Sequence, residues 1–291
     1  MSTLNKVPAT AGAEWLLGAF ALLRKAPLGL GLLGLMWGAL SLVVVQVMAA
    51  SATAGLLLQL ALSVLGPLLF AGVLWGVHEV DQGREAQPGH LFHAFGSERI
   101  GSLLATLLPQ VVAVLALALL LFAMIGPAQL QQLAEVMAEI QRTAEAGGQP
   151  DPALVSSLPV GRLFLWMLLM FAALLATALF TFIAVPEIVL GNSGGLAAMR
   201  NSFRACAHNL PAIIVFGVLL LISLVGIMIL VQLLARLAQL AAGPTAGVWV
   251  ANLLLMAVLM PLLAGSAYQA WRQLLAPPAG ATAPPTARFE A

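Results

Sequence analysis

Five stretches of this chain, 26–77, 100–134, 163–186, 205–235 and 237–271, contain no Asp, Glu, Lys or Arg. That feature limits the fold more than any other. A helix rises about 1.5 Å per residue, so roughly 20 apolar residues cross a hydrocarbon layer about 30 Å thick. The first stretch is long enough for two crossings and each of the others for one. The sequence therefore predicts six spans, at about 28–48, 54–77, 101–125, 163–185, 213–234 and 248–271. Only 8% of the residues are charged, against about 25% in a soluble domain, so most of the chain needs lipid as its solvent. A membrane β-barrel would show short alternating segments with a polar interior. "VVAVLALALLLFAMIG" is apolar on every face, and only a helix closes its own backbone hydrogen bonds in hydrocarbon. The expected fold is an all-α integral membrane protein, with residues 1–275 as one six-span domain.

The segments between the spans carry the polar residues. Residues 1–10 read as a disordered tip. "AGAEWLLGAFALLRKAP" reads as a helix lying in the interface, with Glu14 near its start and Arg24 and Lys25 at its end, as the helix dipole favours; Trp15 suits a headgroup-level anchor. The small residues near Met48 resemble a signal-peptidase site, but the apolar run before them is longer than a signal core, so this run is read as a retained first span. "PGHLFHAF" starts with a proline suited to a first helical turn, and its Leu91, Phe92 and Phe95 are expected to dip into the bilayer surface. After span 3, Leu130, Leu133, Met137 and Ile140 follow the spacing of one apolar helix face. This predicts an amphipathic helix over about 128–143. "AGGQPDP" is a linker by composition, and the Pro/Ala-rich residues 276–291 read as a disordered tail.

Charge orients the chain. With six spans both ends share a side. That side holds nine of the twelve basic residues, among them Arg24, Lys25, Arg84, Arg99, Arg200, Arg204 and Arg272; Arg142, Arg162 and Arg236 fall on the other. Basic loops mark the cytoplasmic face, so both termini and the tail are expected there, with the amphipathic helix outside. Arg24, Lys25, Arg200, Arg204 and His208 are candidate contacts for anionic headgroups, each basic residue worth roughly 1 kcal/mol near the surface. The net charge of +1 implies no general attraction to nucleic acid, and one cysteine excludes an internal disulfide and a cysteine-based zinc site.

A unit of lead-in segment, odd span, turn and even span recurs three times. The lead-ins are "AFALLRKAPLGLGLLG", "AFGSERIGSLLAT" and "SFRACAHNLPAIIVFG". "GPLLFAGVLWG" in span 2 pairs with "MPLLAGSAYQAW" in span 6, and "TFIAVPEIVLG" in span 4 fits less well. Each unit holds an even number of spans, so the copies point the same way, as parallel repeats do. The expected architecture is three parallel pseudo-repeated hairpins with interfacial amphipathic lead-in helices.

"PEIVLGNSGGLAAMRNSFRACAHNLPAIIVFG" resembles a pattern shared by bacterial six-helix membrane proteins, including the membrane domain of some glycerophosphodiester phosphodiesterases. The matching positions are Pro186, Gly195, Ala197, Arg200 and Ser202. The whole chain is also similar to an uncharacterised family of proteobacterial inner-membrane proteins, through Trp15, the stretch Ser202–Asn209 and Tyr268. The resemblance implies the fold and an inner-membrane location. It implies no activity, because the phosphodiesterase chemistry resides in a separate soluble domain that has no counterpart here.

No chemistry stands out. His78, Glu79, Asp81, His90 and His93 form a polar cluster at the span 2 exit; a metal needs three or four converging ligands, and a solvated loop collects the same residues. Cys206 shows no general base at catalytic spacing. Pro67, Pro109 and Pro261 suggest kinks around a cavity, though membrane helices also carry proline without function. No charge lies mid-span, where ion pathways place theirs. The expectation is no enzyme, no cofactor and no metal. The first reading is a scaffold or regulatory membrane subunit, whose partners are the lipid bilayer, anionic headgroups and another membrane protein. The alternative is a carrier of lipid or another apolar molecule through a cavity between repeats.

Overall fold

The computed structural model describes residues 4–145, 147–148 and 159–275. The tail 276–291 and most of the linker lie outside them. Among the described residues there are eleven α-helices, one 3₁₀ segment and no strand: α1 (Ala11–Lys25), α2 (Pro27–Ala50), α3 (Ala52–Asp81), the 3₁₀ segment Pro88–Gly96, α4 (Ile100–Ala105), α5 (Leu108–Ile125), α6 (Pro127–Glu145), α7 (Val160–Thr181), α8 (Ala184–Val189), α9 (Gly195–His208), α10 (Leu210–Ala242) and α11 (Pro244–Leu274). Six helical runs are long and apolar enough to cross a membrane: α2, α3, Ile100–Ile125, Val160–Val189, α10 and α11. Each meets one predicted span.

Two of those runs are interrupted. Pro109 has no N–H for the carbonyl four residues back and its ring crowds that carbonyl; the helix stops at Ala105 and restarts at Leu108. Thr106 stays buried at the break and its hydroxyl donates to Leu103 O at 2.6 Å. In the fourth run the break falls between Thr181 and Ala184, ahead of Pro186. There the Ser202 hydroxyl occupies the gap. It donates to Leu179 O at 2.8 Å and accepts from Ile183 N at 3.3 Å. A helix would have joined those two backbone groups directly, so the side chain is inserted into the ladder. Pro67 and Pro261, by contrast, lie inside unbroken α3 and α11.

The chain divides into two compact units: Leu108–Ala178, and the residues on either side of it. In the larger unit α11 packs on α1, α2, α3 and α10. Small residues set the distance between helices. A Cβ on Gly34 would lie 2.2 Å from Met256 O, and one on Gly72 would lie 2.2 Å from Leu91 O. The second halves of α3 and α11 are the most densely buried helical stretches and supply much of the core, around Leu69, Val73, Leu74, Leu262 and Ala264. Several expectations change here. Trp15 is fully buried against Phe182 and Phe216, so it is a core residue and no headgroup anchor. Leu91 is fully buried under α3 and only Phe92 and Phe95 face outward. The described part of the N-terminal tip is held: Asn5 N donates to Leu274 O at 3.2 Å, and Val7 N donates to Asn209 Oδ1 at 2.8 Å. Asn209 ends α9, and its amide also donates to Asn5 O.

The smaller unit holds α5, α6 and most of α7. Gly126, at φ +79, closes α5 and Pro127 opens α6, a pairing set by glycine's freedom in the left-handed region and proline's fit to a first turn. On α6, Leu130, Leu133 and Ile140 are half-buried, and Val136 rather than Met137 completes the inner face. Trp166 Nε1 donates to Leu117 O at 3.0 Å, and Arg162 donates to Met124 O. Of α5 only Ile125 is buried, and of α7 no residue.

Candidate functional site

The polar side chains of the larger unit gather where the last turns of α3 and α11 meet α1, α8 and α9. The α11 terminus is the spine. Tyr268, Trp271 and Arg272 project from one stretch, three and four residues apart, and so share a face. Tyr268 donates to Asp81 Oδ2 at 2.8 Å and Arg272 donates to the same oxygen at 2.8 Å. The Tyr268 proton is spent on Asp81, so the His78 ring donates from Nδ1 to the phenol oxygen at 3.3 Å. Trp271 Nε1 donates to Glu187 Oε2 at 2.7 Å. Gln273 accepts from Trp15 Nε1 at 2.8 Å and donates to Glu14 at 3.1 Å. One helical terminus thus fastens α1, α3 and α8.

The sequence-predicted cluster does not converge. His78, Glu79 and Asp81 belong to the last turn of α3 rather than to a solvated loop. Glu79 pairs with Arg84 through both carboxylate oxygens, a bidentate geometry stronger than a single contact. His90 caps its own segment, accepting at Nδ1 from Gln87 N. His93 stacks on Trp75, with ring centroids 4.2 Å apart and planes within 9°; burial, with help from His90, lowers its pKa below the ordinary histidine value. No group of three or more His, Cys, Asp or Glu among the described residues is placed to hold a metal.

The headgroup candidates divide. Lys25 donates to Val80 O at 2.8 Å, where a cation meets the negative end of α3. Arg24 is exposed beside a groove of about 520 Å³ that also involves Phe20 and Pro27. Arg200, Arg204 and His208 recur every fourth residue on α9, all exposed. On the opposite face of α9, Ala198, Ser202, Ala205 and Cys206 are buried. Burial pushes the Cys206 thiol up to about 12, so it is protonated at neutral pH and a poor nucleophile.

Glu187 and Arg99 were not singled out from sequence. Glu187 is 4% exposed. Its carboxylate receives Trp271, Ser193 at 2.7 Å and Asn201 at 3.4 Å. All three donors are neutral, and none of the ion pairs among the described residues involves Glu187. Arg99 grips the end of α8 through Ile188 O and Val189 O, and Asn192 through its side-chain oxygen. Asn192 itself sits at φ 57, a left-handed turn position that asparagine tolerates. The available signal was the lone carboxylate abutting the charge-free run 163–186.

Two further cavities lie among the described residues. One of about 500 Å³ lies between α10 and α11, with Gln232, Arg236 and Asn252 in its wall. The other, of about 320 Å³, is lined by Trp75, His93, Ser97 and Arg99. No family model, curated protein or solved structure matches the chain.

Proposed function

We propose that this chain is a non-enzymatic multi-pass protein of the bacterial inner membrane, a scaffold or regulatory subunit for another membrane protein, with both termini cytoplasmic. The carrying observation is the contrast between braced and bare helices. The polar groups at the α3 and α11 termini are spent on one another. The helices α5 and α7 themselves add almost nothing to the core of their own chain. In lipid, helix association depends on close packing and interhelical hydrogen bonds rather than on water exclusion. A partner helix supplies that packing for α5 and α7.

The three-hairpin reading has partial support of the same kind. Pro67 and Pro261 occupy matching positions, and the residues after each form the most buried stretches of α3 and α11. Surface basic residues on α9 fit contact with anionic headgroups. Photocrosslinking from Leu115 or Phe171, followed by purification in mild detergent, tests the proposal. A single co-purifying membrane protein is expected, and crosslinks to lipid alone contradict it. The carrier reading is favoured by one observation, the largely apolar cavity between α10 and α11 that carries Gln232, Arg236 and Asn252 in its wall. It requires lipid movement between vesicle leaflets that Asn252→Leu abolishes.

A further inference from the structure

Arg99 stands just ahead of α4 with its guanidinium held from behind. Nη1 donates to Ile188 O and Val189 O, and Nη2 donates to Asn192 Oδ1 at 2.7 Å. These acceptors are neutral, so they fix the orientation of the group and leave its charge uncompensated. No carboxylate lies within ion-pair distance of it among the described residues. A guanidinium has five N–H donors, and two remain unspent here.

The cavity of about 320 Å³ beside Arg99 has matching walls. The Trp75 and His93 rings are locked face to face. Neither the Trp75 indole N–H nor a ring nitrogen of His93 has a hydrogen-bond partner among the described residues. Ser97 spends its proton on Ala94 O at 2.8 Å, so it offers its lone pairs to a hydroxyl of the bound molecule and no bond to the phosphate oxygens. Ala71, Leu103 and Val189 supply the apolar part, and no Asp or Glu lines the cavity. The result is one fixed cation, neutral N–H donors and no competing anion.

We propose that this cavity binds a phosphate group, carried either by an anionic phospholipid headgroup or by a soluble phosphate ester. Arginine's rigid fork suits phosphate oxygens, and basic pockets between membrane helices take such headgroups. The volume is at the low end of ligand pockets, which run from about 300 to 1,000 Å³, so it holds a headgroup and leaves acyl chains outside. Phe92 and Phe95, exposed on either side of His93 in the same segment, offer those chains an apolar edge. The site stands whether the protein is a scaffold or a carrier.

Native mass spectrometry of the full chain in detergent, with phosphatidylglycerol or phosphatidylcholine added, tests this. One tightly held phosphatidylglycerol per chain is expected, with phosphatidylcholine lost. Arg99→Gln weakens retention about tenfold or more, the scale of a lost charge-assisted bond. Trp75→Phe keeps the stack, removes the N–H and weakens retention about threefold; it is read only with an unchanged melting temperature, which keeps the test valid if Arg99→Gln fails to fold. Arg142→Gln, which removes a surface cation from the smaller unit, keeps the tight lipid. Displacement by glycerol 3-phosphate assigns the site to soluble esters, and resistance to it assigns the site to lipid. Equal retention of both lipids without displacement by glycerol 3-phosphate, or wild-type binding by folded Trp75→Phe and Arg99→Gln, overturns the proposal.

Discussion

The helices α11 and α5 are both apolar enough to cross a membrane, yet one is the packing centre of its unit and the other is bare. In α11, Pro261, Leu262, Ala264, Gly265, Ser266, Ala267, Tyr268 and Ala270 are buried; in α5 only Ile125 is. Hydropathy does not separate them, since the run containing α5 is the more apolar, at 2.6 against 2.1. Side-chain size and polarity do. The buried half of α11 reads "PLLAGSAYQAW", small residues followed by hydrogen-bonding aromatics, whereas "VVAVLALALLLFAMI" contains neither glycine nor a polar group. In lipid, apolarity places a helix in the membrane, and small or polar residues decide what it packs against.

Glycine substitutions are the strongest way to break this contrast. Gly34→Leu and Gly72→Leu drive a side chain into a neighbouring backbone, an overpacking cost of about 3 kcal/mol. Gly161→Ala in α7 meets nothing within 4 Å and stays within about 0.5 kcal/mol. Thermal unfolding in detergent compares them, and equal losses in both units would remove the distinction.

Tryptophan N–H groups come next. Trp271→Phe leaves a buried carboxylate oxygen of Glu187 without its donor and costs about 1–3 kcal/mol. Trp166→Phe in the smaller unit removes one bond to a backbone carbonyl and costs about 1 kcal/mol or less. Ser202→Ala empties the break between α7 and α8 and costs about 1 kcal/mol, read from the same melts.

The smallest effects are those of pH. The Cys206 thiol, at about 12 when folded against 9.0 for the free group, resists maleimide at pH 8 until the protein unfolds. Because the unfolded thiol ionises first, its stabilising contribution is complete below 9.0 and declines as pH rises toward 12. His93 works in the other direction. Its folded value lies below 6.5, so its contribution is complete above 6.5 and is lost as pH falls through the lowered value. His93→Asn should flatten a melting-temperature profile below pH 6.5, and an unchanged profile counts against the packing of that ring on Trp75.

The spans were legible because their signal is local and repeated: charge-free length of about 20 residues or more. The polar brace was not. Asp81 and Arg272, or Glu187 and Trp271, are far apart in sequence, and each looks like an ordinary polar residue at the edge of an apolar run. Trp15 was misjudged for a related reason, since a tryptophan beside charged residues reads equally well as an interface anchor or as a core residue with a hydrogen-bond partner. Pro109 and Pro186 interrupt their helices while Pro67 and Pro261 do not. The Ser202 hydroxyl supplies one visible difference, taking up the backbone groups that the break below α8 frees.

The proposed placement rests on the six helices crossing a bilayer with nine of the twelve basic residues on one side. Cysteines placed singly at Arg84, Arg200, Arg142 and Arg236, probed with a membrane-impermeant maleimide, test this directly, because native Cys206 is buried and protonated. The account predicts that positions 142 and 236 label on intact spheroplasts, while 84 and 200 label only in inverted vesicles. Labelling of all four positions from one side, or recovery of the chain in the soluble fraction without detergent, would contradict it.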